Sequence, residues 1–197
     1  NELLGKSTKE AEKFLTAEVF SENKVISVWR QAYQQFKTKK GVRCSIEALL
    51  KRIEKGTGIS TINPLVDIYN AVSLTYGLPC GGEDIDTFQG DLLLTKAIGG
   101  ELFLALGDED HDNALSGEII YKDDAGAVCR CWNWRDGQRT MLRENTTNAF
   151  LIIESVDPGR KEDLGQAAAT LAELTKKYLG GSTEIAHMNR NHRELDF

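Results

Sequence analysis

Three short stretches hold residues whose types and spacing suit chemistry. The first is Cys80-Gly81-Gly82-Glu83-Asp84. Two glycines let a backbone approach a ligand closely, and two adjacent carboxylates suit an amine or a held water. A solvated turn fits the same residues. The second stretch is CRCWNWRDGQRT, from Cys129 to Thr140. Read as a strand, 127–134 puts Cys129, Cys131 and Asn133 on one face and Arg130, Trp132 and Trp134 on the other. An arginine between tryptophans suits base stacking or a cation–π pair, and equally well ordinary sheet packing. The third stretch is Thr146-Thr147-Asn148. Its hydroxyls suit orienting a ligand or a water, or turning the chain into the next strand.

Other chemistry is absent from the pattern. There is no G-x-S-x-G, no phosphate-binding P-loop, no G-x-G-x-x-G after a strand and no H-E-x-x-H. Cys44, Cys80, Cys129 and Cys131 form no C-x-x-C pair, and reduced, buried thiols are expected. His187 and His192 are five apart, off the i, i+4 spacing of a helical metal pair, and His111 lies in the acidic run DEDHDN. Neither a metal nor a cofactor is expected.

The elements that must position these stretches are legible. Ser7 with Glu10 reads as a capping box. Val25, Val28, Trp29, Ala32, Tyr33 and Phe36 form a helical stripe, and Ser45 is placed to cap a short helix ended by Gly56. Asn63-Pro64 starts the best-marked helix, with Leu65, Ile68, Val72 and Tyr76 inward and Gly77 at its end. After it the pattern turns to strands: DLLLTKA, ELFLAL, GEIIYKD and GAVCRCWNW around a turn at 123–126, then NAFLIIESV. A helix follows through Leu164, Ala168, Leu171, Leu174 and Tyr178, ended by Gly180-Gly181. Helices around a run of strands predict an α+β fold with layered sheets. The boundaries read as a helical segment 1–58, an α+β domain 59–180 and a polar tail 181–197, within one compact unit.

The chain has 197 residues, 41% hydrophobic, with a formal net charge of −6. Such a length buries roughly 70–72% of the unfolded surface without needing disulfides or metal. No apolar run approaches the ~18 residues of a membrane helix, and the start lacks a secretory pattern, so a cytoplasmic protein is expected. An acidic chain is a poor non-specific binder of nucleic acid. Charge is uneven, however. Segment 37–55 holds Lys37, Lys39, Lys40, Arg43, Lys51, Arg52 and Lys55 against Glu47 and Glu54, whereas 83–124 holds twelve acids against Lys96 and Lys122. The basic segment suits either phosphate contact or a solvated helix face.

Taken together, NPLVDIYNAVSLTYGLPCGGEDID and the later Thr146-Thr147-Asn148-Ala149-Phe150-Leu151 resemble the editing domain (B3/4) of the phenylalanyl-tRNA synthetase beta subunit, over roughly residues 60–156. KDDAGAVCRCWNWRDGQRT and the leading helices look like the free-standing proteins of that family. The resemblance implies hydrolysis of an ester between a wrong amino acid and the terminal ribose of tRNA. Asn70 matches a pocket asparagine. Tyr69 stands where threonine is frequent, Gly81 replaces a histidine, and the glutamate of a G-G-E stretch falls near Asp136-Gly137-Gln138. On this footing Glu83 or Asp84 takes the α-amine or the water, with Asn70 beside them as a catalytic candidate. Tyr69, Cys131, Asn133, Gln138, Thr147 and Asn148 line the substrate, and Gly81-Gly82 approaches its carbonyl. Arg130, Arg135, Lys51 and Arg52 are the candidates for RNA phosphate. The alternative is a module of the same fold that binds tRNA or an amino acid-like ligand without hydrolysis. A thiol enzyme using Cys80 or Cys131 would need a histidine nearby, and the sequence places none there.

Overall fold

The computed structural model describes residues 2–196; Asn1, in the helical segment 1–58, and Phe197, in the polar tail 181–197, lie outside the described residues. Four helices come first: α1 (Glu2–Glu10), α2 (Lys24–Tyr33), α3 (Ser45–Glu54) and α4 (Pro64–Tyr76). Six strands follow: β1 (Cys80–Asp84), β2 (Leu93–Lys96), β3 (Ile119–Asp123), β4 (Gly126–Arg130), β5 (Arg135–Asp136) and β6 (Ala149–Ile153). The long helix α5 (Lys161–Leu179) comes after them. Strands β1 and β6 form one antiparallel sheet, and β2-β3-β4-β5 form a second. This is the α+β arrangement that the sequence predicts. Among the described residues no helix is long and apolar enough to cross a membrane.

Helix α4 forms where its signals place it. Asn63 Oδ1 accepts from the Val66 amide at 2.9 Å, Pro64 takes the first turn, and Gly77 leaves the helix at φ +60°. That left-handed residue is also pressed against Phe14, whose ring would lie 2.8 Å from an added Cβ. Arg160, just before α5, donates to the carbonyls of Tyr76 and Gly77, satisfying the end of α4. One face of α4 joins Leu4, Trp29, Ile46 and Leu50 in the helical core. The other packs with Cys80, Ala167 and Leu171 against α5 and β1.

Several local expectations are corrected. Ser7 lies inside α1, not at its start, and its hydroxyl donates back to the Leu3 carbonyl at 3.0 Å. Cys44, not Ser45, is the residue before α3, and Ser45 Oγ is buried without a partner. Segment 101–106 forms no regular strand. Its backbone hydrogen bonds alternate between residues 112–114 on one side and residues 127, 136 and 138 on the other, so no regular ladder builds up. The strand expected over 127–134 stops at Arg130, because Cys131 (φ 46°) and Trp132 (φ 66°) turn left-handed. Consecutive non-glycine residues there are strained, and the surrounding contacts must hold them.

Candidate functional site

Strand β1 has two different faces. Gly82 looks toward α4 and α5, where an added Cβ would lie 2.6 Å from Leu151 Cδ2, 3.0 Å from Leu142 Cδ1 and 3.3 Å from Tyr69 Cε1. Gly81 and Glu83 look the other way, toward the four-stranded sheet. In the register of β1 with β6, Gly81 lies opposite Ile152 and Glu83 opposite Phe150. The same alternation continues to Glu154. Together with Cys129 and Asp136 from the second sheet and Trp132 and Asn133 from the turn between β4 and β5, these residues enclose a cavity of about 70 Å³.

The alternation separates the two adjacent acids. Asp84 accepts from the Asp86 amide at 3.1 Å and from Thr146 Oγ1 at 2.6 Å, so its oxygens are engaged in local structure. Glu83 is 6% exposed and lines the cavity. Its Oε2 has no hydrogen-bond partner among the described residues, and neither does the buried Thr140 Oγ1. Burial raises the Glu83 carboxyl well above the ordinary carboxylate range, and the Asp136 charge adds to this. The Arg139 charge opposes the shift and does not cancel it.

Two further carboxyls complete the cavity, and sequence reasoning did not single them out as cavity acids. Burial raises Asp136, and the neighbouring Cys129 thiol opposes that shift without cancelling it. Burial also raises Glu154, although three donors hold it: Tyr121 Oη at 2.5 Å, Trp132 Nε1 at 2.6 Å and Asn133 Nδ2 at 2.6 Å. The left-handed turn at Cys131-Trp132 is what brings two of those donors onto one carboxylate. The signal for Glu154 was its place two residues beyond Ile152 in the period of an apolar strand.

The remaining candidates divide clearly. Gly81, Gly82, Glu83 and Asn133 line the cavity. Tyr69 is buried behind Gly82, outside the lining. Asn70 lies on α4, and its side chain makes no hydrogen bond among the described residues. Cys131 is buried in the helical core. Gln138 Nε2 donates to the carbonyls of Ala105 (3.1 Å) and Asp108 (2.6 Å). Thr147 is exposed, and Asn148 Nδ2 bonds Asp86 at 3.0 and 3.2 Å. The T-T-N stretch therefore clamps the segment after β1.

Of the basic candidates, Arg130 is 0% exposed and fully engaged. It donates to Glu118 at 2.9 and 2.6 Å, pairs with Asp112 Oδ2 at 2.9 Å and donates to the Asp112 carbonyl. Arg135 pairs with Asp108 at 3.1 Å, near the Trp134 ring. Lys51 pairs with Glu54, and Arg52 is exposed. All four cysteines are free and buried. Burial pushes the Cys44 and Cys131 thiols up to about 12 and raises Cys80 and Cys129 as well, the reverse of what a nucleophilic thiol needs. Among the described residues no cluster of three or more His, Cys, Asp or Glu is arranged to hold a metal.

Two sheets facing each other, with helices outside, define an α+β domain with a small inter-sheet cavity whose largely apolar lining carries three carboxyls. The chain belongs to the B3/4 domain family, whose profile matches residues 28–179. Among curated proteins it is similar to phenylalanine–tRNA ligase beta subunits. That of Geobacter sulfurreducens is 28% identical over 140 residues, 71% of this chain and 16% of the relative. That of Fusobacterium nucleatum subsp. nucleatum is 28% identical over 147 residues, 75% of this chain and 16% of the relative. That of Leifsonia xyli subsp. xyli is 32% identical over 105 residues, 53% of this chain and 12% of the relative. The match thus spans less than a fifth of those relatives' own length.

Proposed function

We propose that the inter-sheet cavity, whose volume of about 70 Å³ admits the reacting end of a ligand and not a whole side chain, receives the α-amine and ester carbonyl of an aminoacyl-tRNA and that the domain hydrolyses that ester. Water adds to the ester carbonyl, the bond to the ribose oxygen breaks, and the products are the free amino acid and the ribose hydroxyl. Such an ester is already activated, so a site need only hold the water and polarise the carbonyl. Glu83 is the group assigned to the water's proton. Its raised value moves it toward the range in which a general base works at neutral pH. Asp136 is the partner for the α-ammonium, and Asn133, fixed by Glu154, orients the substrate. The observation that carries this reading is Glu83 itself, which lines the cavity and whose buried Oε2 has no hydrogen-bond partner among the described residues.

A second reading, binding without hydrolysis, is favoured by Gln138. It stands near the position where the related editing domains carry a glutamate, and its amide is committed to the 105–108 backbone. Deacylation of a panel of correctly and wrongly charged tRNAs, including tyrosine on the phenylalanine tRNA, separates the two. Release of one amino acid, lost in Glu83→Gln, supports the hydrolase. No release by a folded protein, with a ligand still raising its melting temperature, supports the binding module.

A further inference from the structure

The N-terminal helices enclose a second and larger space. A groove of about 460 Å³ opens between Phe20, Arg30 and Tyr33 on one side and Arg43, Glu47 and Lys51 on the other. That volume is in the range of ligand sites, which run from about 300 to 1,000 Å³. Glu47, the acid in this lining, is already neutralised. Arg30 holds it through Nη2 at 2.6 Å and through Nε at 3.2 Å to both oxygens. Lys51 Nζ sits 4.2 Å from the centre of the Phe20 ring and pairs with Glu54 on the surface of α3 at 2.5 Å, so a phosphate in the groove would have to share or displace that exposed carboxylate. Arg43 is exposed, with no ion pair or side-chain hydrogen bond among the described residues. Lys37, Lys40, Arg52 and Lys55 are exposed along the same segment, whereas Lys39 is tied to Asp112.

Only a thin wall divides this groove from the inter-sheet cavity. Tyr33 lines the groove, and its hydroxyl lies 2.8 Å from the Cys131 carbonyl and 2.9 Å from Asn133 Oδ1. Asn133 lines the cavity. The adjacent residues Cys44 and Ser45 likewise face the groove and the cavity respectively. A ligand seated in the groove therefore ends beside the candidate site. On a chain of net charge −6, a basic groove also concentrates the field that attracts an anion, while the acidic remainder repels it elsewhere.

We infer that the groove binds the phosphate-bearing end of a single RNA strand, with Arg43 and Lys51 on the phosphates and Phe20 beside a base. This rests on the reading of the inter-sheet cavity as a site for aminoacyl esters of tRNA. Cations that track the backbone, joined to an aromatic face, are the minimal kit for a single strand. A base stacked on Phe20 would share that ring with Lys51.

The test is fluorescence anisotropy with an uncharged, fluorescein-labelled eight-nucleotide RNA, which needs no ester chemistry. The wild-type chain is expected to bind at low salt. Arg43→Glu and Lys51→Ala should each weaken binding by about fivefold or more and lower the salt slope by about 0.7 for each phosphate that is no longer neutralised. Lys176→Glu, a charge reversal on the exposed end of α5 and outside the groove's lining, should leave binding within about twofold. Absence of wild-type binding, or an equal loss in Lys176→Glu, overturns the inference. So does displacement of the RNA by AMP at the same nucleotide concentration, which would make the groove a mononucleotide site. RNA binding that follows the expected pattern without ester hydrolysis leaves the groove assigned and removes the hydrolase. Hydrolysis that Arg43→Glu leaves unchanged does the reverse.

Discussion

Replacing Glu83 with Gln should stabilise the fold at alkaline pH while abolishing the proposed hydrolysis. Glu83 is buried, and its Oε2 lacks a partner. An ionised carboxylate there carries an unmet desolvation penalty, on the order of 1–3 kcal/mol for a group left unsatisfied. Its folded value is raised, so the unfolded chain gives up the proton first. The native state is then favoured by proton binding below the unfolded value of about 4.3, and that advantage is lost as pH rises through the folded value. Gln cannot ionise and has nearly the same shape. It also offers the Thr140 hydroxyl an amide donor, and it removes the charge that repels Asp136.

The variant and the wild type should therefore melt together near pH 4 and diverge as pH rises. For a chain of this size each kcal/mol moves the melting temperature by about 2–4 °C, so a gain of about 2–12 °C is expected at pH 8.5. Calorimetry from pH 4 to 8.5, with the deacylation panel on the same samples, reads both effects. A Glu83→Gln chain that melts at or below the wild type at pH 8.5 refutes the buried-charge argument. A stabilised variant that still hydrolyses refutes the general-base role and leaves the electrostatics standing.

Gly82→Ala should lower stability by about 1–3 kcal/mol, the usual range for overpacking, whereas Gly81→Ala should be nearly neutral; urea melts of the two variants check this. The reason is that Gly81 would meet only Ile152 Cγ2 at 3.8 Å, an ordinary contact, while Gly82 has Leu151 and Leu142 within 3.0 Å. Arg130→Ala should cost about 3–5 kcal/mol by leaving Glu118 buried and unpaired, seen as a large fall in the denaturation midpoint. The four thiols should resist iodoacetamide at pH 8 in the native protein and react fully in denaturant, with hydrolysis unaffected by the native treatment; mass spectrometry counts the adducts.

The sequence made α4 legible because both of its ends carry their own chemistry, the Asn63 side chain at one and Gly77 at the other. It could not say which of Glu83 and Asp84 faces a cavity. That depends on which side of β1 meets the second sheet, a fact set by strands far away in the chain. Glu154 was missed for the same reason. It enters the site only because β6 pairs with β1 in the register that puts Ile152 beside Gly81. The exposed phosphate-binding role expected of Arg130 is likewise at odds with a fully buried guanidinium, since its partner Glu118 lies twelve residues away on the preceding hairpin arm. The T-T-N stretch reads as a clamp once Thr146 and Asn148 are seen to hold Asp84 and Asp86.

The two spaces of this domain have opposite charge preferences, and that opposition has a physical consequence for what the pair can accept. In the inter-sheet cavity, burial raises Glu83, Asp136 and Glu154, and the Asp136 charge opposes ionisation of both other acids. Such a cavity resists anions and rewards a cation, because an ammonium supplies the counter-charge that lets a carboxyl ionise. Across the Tyr33–Asn133 wall, Arg43 and Lys51 present the reverse preference. A free amino acid would bring its carboxylate into the acidic cavity, and a bare nucleotide would leave that cavity empty. On the proposed reading, an aminoacyl ester of RNA satisfies both spaces: its carboxyl is esterified and neutral, its amine is cationic, and its phosphates lie at the far end. The carboxylate released by hydrolysis would then be repelled from the cavity by the same acids, so the charges that admit the ester also favour departure of the product.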